Sequence, residues 1–299
     1  MQTVFLNGSF LGRDEARIAA FDAGFQHGVG LFETLLGVRL DGVPEVIGLE
    51  AHAERLAESA RALRLSERLH ADGLARAVLE TFERSGLSRA RLRLTVTGGD
   101  LNLLESRGES NHRPTVLCVA QPATEYPPAM FERGVLATIA DARANPFDPT
   151  AGHKTLNYWW RLRELQQAAA KGAGESIVLQ VSNHVAGGCV SNVAAVHGEV
   201  LLTPIARGEE RSGGIPSPVL PGVARSMVLG WAESWGLRVS RQMMTVDDLL
   251  DADELFLTNS SWGVLPVTRV EGATIGSGSP GPTTRRLIEA WRGLTGLDG

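Results

Sequence analysis

Apolar residues flank Asn7-Gly8, a strong two-residue hairpin turn, so the first ten residues read as a hairpin. A second hairpin spans Phe32 to Val46 and turns at Asp41-Gly42. Over 49–65, Leu49, Ala53, Leu56, Ala60 and Leu63 recur at helical spacing, which predicts an amphipathic helix packed on those strands. Another helix is predicted over 68–86. From Arg91 to Thr97 polar and apolar residues alternate, as in a strand with one polar and one apolar face. Thr115 to Ala120 is an apolar strand. The run Gln121-Pro122-Ala123-Thr124-Glu125-Tyr126-Pro127-Pro128 then breaks the pattern and is the best linker in the chain.

Beyond it the pattern restarts. Strands are predicted at Val135 to Ala140, Ser176 to Val181, Val190 to Val196, Val200 to Leu202 and Leu255 to Thr258. Helices are predicted over 155–171, 222–235 and 283–294. Helices and strands mix without strict alternation, so the expected class is α+β, an irregular α/β, and not a doubly wound sheet. The expected organisation is a small N-terminal domain over 1–122, a linker over 123–128 and a larger domain over 129–299.

Composition narrows the function classes. The net charge of −5 and the lack of a basic stripe argue against nucleic acid as a partner. Without a run of eighteen apolar residues or a basic, apolar leader, no membrane span or export is expected. Cys118 and Cys189 lie in apolar runs and read as buried free thiols, which fits a reducing cytoplasm. His52, His70, His112, His153, His184 and His197 are scattered without zinc spacing, so no metal is expected. Gly28 and Gly30 lack the third glycine and the preceding strand of a dinucleotide site, and no Gly-x-Ser-x-Gly elbow occurs.

Lysine usage is the sharpest chemical signal. Among the 29 basic residues only Lys154 and Lys171 are lysines. Arginine serves at most surface sites, but it cannot supply the neutral amine that an imine requires. Lys171 falls in the last turn of a predicted helix, where a cation before a glycine is structural. Lys154 stands at the mouth of that helix, in His153-Lys154-Thr155-Leu156-Asn157-Tyr158, and is the candidate for function.

Several segments together resemble the class IV aminotransferases, the pyridoxal-phosphate enzymes of fold type IV. These are Asp22 to Thr34, His52-Ala53-Glu54-Arg55-Leu56, His153 to Tyr158, Val190-Ser191-Asn192, Leu220-Pro221-Gly222-Val223-Ala224-Arg225, Ala252 to Ser260 and Pro266-Val267. The resemblance covers nearly the whole chain. It implies a two-domain fold with pyridoxal 5'-phosphate in the cleft between the domains, and a homodimer. It further implies that Lys154 holds the cofactor as an imine and shuttles the substrate proton. Arg55 is then the clamp on the phosphate, helped by the backbone at Val223 and Ala224 and by Ser260. Tyr158 is expected near the pyridine hydroxyl, with Ser191 and Asn192 also lining the cofactor. His27, Arg39, Arg93 and Ser261 are candidates for binding substrate.

The chain also departs from the family's pattern. Relatives carry a glutamate shortly before the Ser-Asn pair, and its carboxylate holds the proton on the ring nitrogen. Gly187 takes its place here, and neither Glu175 nor Glu199 is an evident substitute. A neutral ring nitrogen makes the cofactor a weaker electron sink. His27 stands where many relatives have a tyrosine, and Ala224 where many have a threonine. The leading expectation is amino-group transfer between an amino acid and a 2-keto acid. The alternatives are pyruvate elimination of the aminodeoxychorismate-lyase type and a cofactor-binding protein with little catalysis.

Overall fold

The computed structural model describes residues 3–100 and 113–297; His112 lies outside them. The chain divides into two compact units, Met1–Thr124 with His153–Asn157, and Glu125–Gly152 with Tyr158–Gly299.

In the first unit, β1 (Thr3–Leu6) and β2 (Ser9–Gly12) form the first hairpin and are followed by the short helix α1 (Ala23–His27). The second hairpin is β3 (Gly30–Leu40) with β4 (Val43–Val46). Helices α2 (Leu49–Ala62) and α3 (Ala71–Ser85) and strands β5 (Arg89–Thr97) and β6 (Thr115–Pro122) complete the unit. The strands make one antiparallel sheet in the order β2-β1-β6-β5-β3-β4. Leu35, Leu92 and Leu94 of the sheet meet Leu56 of α2 and Phe82 of α3 in a single core. Buried Asp22 caps α1 by accepting from Gly24 N at 2.8 Å, and also accepts from the Thr97 and Thr115 hydroxyls.

The helix predicted over 155–171 begins only at Trp159. Phe32 N donates to Lys154 O at 2.9 Å, Leu156 N donates to Gly30 O at 2.9 Å, and Thr155 bridges Leu31. The backbone of 154–156 is thus spent on β3 and is not free to make a helical turn. The lysine sits beside a strand, not at a helix mouth.

The second unit contains α4 (Pro128–Glu132), β7 (Val135–Ala144), α5 (Trp159–Ala170), β8 (Glu175–Gln180), β9 (Val185–Gly188), β10 (Asn192–His197) and β11 (Val200–Pro204). It continues through α6 (Val223–Ser234), β12 (Arg238–Gln242), α7 (Asp247–Leu250), β13 (Glu254–Asn259), β14 (Gly263–Val270), β15 (Ala273–Thr274) and α8 (Pro282–Thr295). Its mixed sheet runs β12-β11-β10-β13-β14-β7-β8-β9, with β15 beside β14. Both faces are covered. Ile177, Leu179, Val193 and Leu257 pack under Met244 and Leu249, while on the other face Ala194 and Phe256 meet Val228 of α6 and Leu287 of α8. Strands buried on two faces read as apolar runs without alternation. Strands β9 and β14 carry no clear strand signal in the sequence because one is Val-Ala-Gly-Gly and the other contains Pro266. The irregular mixture of strands and helices agrees with the expected α+β class.

Candidate active site

In the first unit, Lys154 and Arg93 share one aromatic ring. The Lys154 Nζ lies 4.5 Å from the centroid of Phe32, and the Arg93 guanidinium carbon lies 3.4 Å from it. The antiparallel register that pairs Thr34 with Arg93 sets Arg93 across from β3 beside Phe32, and the Phe32 N–H bond to Lys154 O fixes the lysine's backbone. An amine and a carboxylate-binding fork around one ring suit a ligand that carries both an amino and a carboxylate group.

One position further along β3, Glu33 points into the apolar interior beneath α2. It accepts from Arg55 Nε at 2.9 Å and Nη2 at 2.5 Å, and it meets His52 Nδ1 at 2.7 Å. His52 and Arg55 lie three residues apart on one face of α2, so both reach the same carboxylate. Glu33 and His52 are buried, and Arg55 retains 11 % exposure. Burial pushes Glu33 upward, but the charges of Arg55 and His52 and their hydrogen bonds overcome it and hold the carboxyl at about 2. His52 is held below its ordinary value by burial first, against the pull of Glu33, with Arg55 and Lys154 adding repulsion. The result is a guanidinium fixed on one edge by a carboxylate whose other partner is the buried imidazole of His52. The family's motifs assigned no role to Glu33 or His52. The available signal was a lone carboxylate inside the apolar run Leu31 to Leu36, followed by His-x-x-Arg on the next helix.

The remaining first-unit candidates are not gathered here. The Arg39 fork donates to Leu87 O and Glu83 O at the end of α3, seven residues along an extended strand from Phe32. There it closes the helix C-terminus, a structural task. His27 is exposed in the last turn of α1.

In the second unit, two asparagines stitch three turns together. Asn192 Nδ2 donates to Leu220 O at 2.9 Å, which ties the start of β10 to the loop before α6. Asn259 Nδ2 donates to Val190 O, while its Oδ1 accepts from Ser261 N and Trp262 N. The segments Gly187–Ser191, Leu220–Gly222 and Asn259–Trp262 are therefore held together, with Ser191, Ser260 and Ser261 in them and Asn192, Val223 and Ala224 directly after them in the chain. Helix α6 follows the second of these turns with Gly222 as its N-terminal cap residue, and no side chain caps it. Its first N–H groups make an anion-binding end. A Cβ at Gly222 would run into Asn192 Oδ1, so the approach needs glycine. Arg225, in the first turn, is buried and pinned by Glu209, Thr203 and Pro204 O, which fixes the helix. The Ser261 hydroxyl lies 2.8 Å from Tyr126 Oη.

Helix α5 overlies the first of these turns. Tyr158 Oη donates to Cys189 O at 3.1 Å, and Arg161 Nη1 reaches Gly188 O and Cys189 O at 3.2 and 3.4 Å. Glu175 lies under the same turn, fully buried. Its oxygens accept from Ser176 N, Cys189 N, Val190 N and the Ser191 hydroxyl. Burial pushes Glu175 upward against those four donors. Glu199 is exposed in the turn after β10, at the opposite end of that strand from Ser191.

The arrangement matches a known family. The amino-transferase class IV family matches residues 30–270. The chain belongs to the class IV aminotransferases. It is 32 % identical over 295 residues to a putative branched-chain-amino-acid aminotransferase of Methanocaldococcus jannaschii, covering 97 % of this chain and 96 % of that protein. Its fold superposes on the branched-chain amino acid aminotransferase of Escherichia coli with a TM-score of 0.87 and 26 % identity, covering 98 % of this chain and 94 % of the other. A further branched-chain amino acid aminotransferase, from T.th. and solved with pyridoxamine 5'-phosphate, gives a TM-score of 0.87 at 25 % identity, covering 99 % and 95 %. The chain thus has the fold type IV architecture, amino-group transfer as its activity and pyridoxal 5'-phosphate as its cofactor. Each unit separately carries a group suited to a phosphate: the uncapped start of α6 with its Gly222 cradle in the second, and the guanidinium fixed by Glu33 in the first. No helix among the described residues is long and apolar enough to cross a membrane.

Proposed function

We propose that this class IV aminotransferase exchanges the amino group of an apolar, branched-chain-type amino acid with a 2-keto acid, using Lys154 as the attachment point and proton carrier. The observation that carries the proposal is the ring of Phe32, which the Lys154 amine and the Arg93 fork share. Arg93 binds the substrate carboxylate. Arg55, its guanidinium held in place by Glu33, binds the cofactor phosphate, and the Val223 and Ala224 N–H groups with Ser260 bind the rest of it. Tyr158 would hold the pyridine hydroxyl, and Ser191 and Asn192 would set the Gly187–Ser191 turn against the ring. When bound, the cofactor supplies an aldehyde for the amine and a ring that draws electrons from the substrate Cα. The freed Lys154 amine takes the Cα proton and returns it during the transfer. Relatives named as branched-chain aminotransferases support the branched-chain preference. We further propose a cytoplasmic homodimer. The buried free thiols Cys118 and Cys189 and the exposed aromatic side chains of Phe21, Phe25 and Trp159 support it.

Borohydride reduction of the holoenzyme tests the assignment. It should fix the cofactor on the peptide containing Lys154, and Lys154→Ala should abolish both that adduct and exchange between leucine and 2-oxoglutarate. An adduct on Lys171, or pyruvate release in place of keto-acid exchange, would refute it. Light scattering of the eluted protein reads the dimer.

A further inference from the structure

Gly187 has φ +146, a backbone conformation that L side chains rarely adopt, and a Cβ there would lie 3.0 Å from Ser191 O. The turn is built for glycine, so the carboxylate missing at 187 is not a vacancy awaiting a side chain. The face of the strand decides what replaces it. Gly187 is paired with Val178 and Gly188 with Ile177. A Cβ at Gly188 would collide with Ser191 Oγ and Glu175, so Glu175 belongs to the Gly188 face. Its four acceptor positions are already filled by three backbone N–H groups and the Ser191 hydroxyl. Glu175 is thus a brace for the turn, its oxygens held on the Gly188 face and away from the Gly187 side.

Val178 belongs to the opposite cluster, with Ala140, Cys189 and Trp160 of α5. On that side the charged group held against the turn is half-buried Arg161, whose guanidinium bonds Gly188 O and Cys189 O and lies 4.4 Å from the Trp160 ring. The other charged groups on this part of α5 are Glu164 and Arg163. Glu164 is buried, accepts from Asp141 N of β7 at 2.8 Å and stands 3.6 Å from Arg163.

We propose that Arg161 meets the ring nitrogen of the bound cofactor, and that this nitrogen is an unprotonated acceptor of an Arg161 N–H. The inference rests on the placement of the cofactor ring against the Gly187–Ser191 turn proposed above. A guanidinium does not give up its proton in a protein, so it can donate to a neutral pyridine nitrogen but cannot share a site with a pyridinium. No proton is transferred. The lone pair of the ring nitrogen accepts a hydrogen bond, and the ring withdraws fewer electrons from the substrate than a protonated one. The reaction then leans more heavily on the Lys154 amine as base.

The test is nuclear magnetic resonance of holoenzyme reconstituted with pyridoxal phosphate labelled with nitrogen-15 in the ring. The wild-type resonance should fall in the neutral-pyridine range. Arg161→Lys should keep it there, while Arg161→Gln should shift it and weaken cofactor binding about tenfold, as loss of a charged donor does. A pyridinium resonance in the wild type overturns the proposal, all the more if Glu164→Gln converts it to neutral. An unshifted resonance in Arg161→Gln overturns it as well. Holoenzyme that forms the Lys154 adduct yet shows a protonated ring refutes this inference alone, whereas protein that forms no adduct refutes the site assignment beneath it.

Discussion

The role proposed for Arg55 depends on what holds its guanidinium. Glu33 neutralises its buried charge and fixes the angle of its fork, and His52 closes the remaining side of the carboxylate. Replacing Glu33 with Gln keeps the shape but strands the Arg55 cation, which should cost about 3 kcal/mol of stability at neutral pH and weaken cofactor binding. Calorimetry on the apoenzyme measures the first effect. Its pH dependence identifies the cause. Glu33 sits at about 2 in the fold, against 4.5 as its ordinary value. Its contribution is therefore complete above pH 4.5 and is lost as the pH falls toward 2, so the gap in stability between wild type and Glu33→Gln should close over that window. His52, lowered in the fold, acts at higher pH: the unfolded chain takes up its proton below about 6.5 while the folded chain resists, so stability declines as the pH drops through that value. Glu175, raised by burial, has the opposite sign and favours the fold as it protonates. Comparing two variants that both contain Glu175 cancels its part.

At the level of elements, the start of α6, proposed above to hold the phosphate, depends on the turn that delivers it. Gly222 leaves room for Asn192 Oδ1, and the Asn192 amide holds Leu220 O in place. Gly222→Ala should push Asn192 away and swing the first turn of α6, raising the Kd for pyridoxal phosphate roughly tenfold, the worth of one charge-assisted hydrogen bond. Fluorescence titration reads that change, and the Lys154 adduct should still form at saturating cofactor. The same reasoning bears on the β9 turn. Since position 187 has a positive φ, Gly187→Glu would introduce strain of about 1–3 kcal/mol along with its carboxylate.

At the level of the whole molecule, the first unit is not continuous in sequence. His153–Asn157 returns to it from beyond the linker region, and Lys154 O and Leu156 N complete the hydrogen bonding of Phe32 and Gly30 at the start of β3. A fragment ending at Thr124 lacks those partners. Its Phe32 amide should exchange with solvent roughly tenfold faster or more than in the full chain, while amides in the middle of β5 should remain protected. Hydrogen-exchange mass spectrometry compares the two. Equal protection of Phe32 in fragment and full chain would mean that the returning segment adds nothing to the sheet.

The amino-acid sequence by itself determined the local elements and the chemical inventory. Asn7-Gly8 and Asp41-Gly42 turn where hairpins turn, the apolar spacing of Leu49 to Leu63 makes a helix, and a chain almost free of lysine singles out Lys154. These signals are local, because turn geometry and helical periodicity act over a few residues. The sequence also carried the family's motifs in order, and hence the fold and the cofactor. Tertiary structure alone decided the partners. Helix α5 starts four residues later than its periodicity suggests because the backbone at 154–156 is used by a strand more than a hundred residues earlier. Glu33 meets Arg55 because a strand and a helix cross there, and Arg39 is drawn to the end of α3 although it looked much like Arg93 in the sequence. Glu175 falls on one face of the β9 turn and Arg161 on the other because adjacent residues of a strand point to opposite sides of the sheet. A carboxylate's or guanidinium's role depends on which groups lie within about 3 Å of it, and the folded chain sets those distances between residues far apart in sequence.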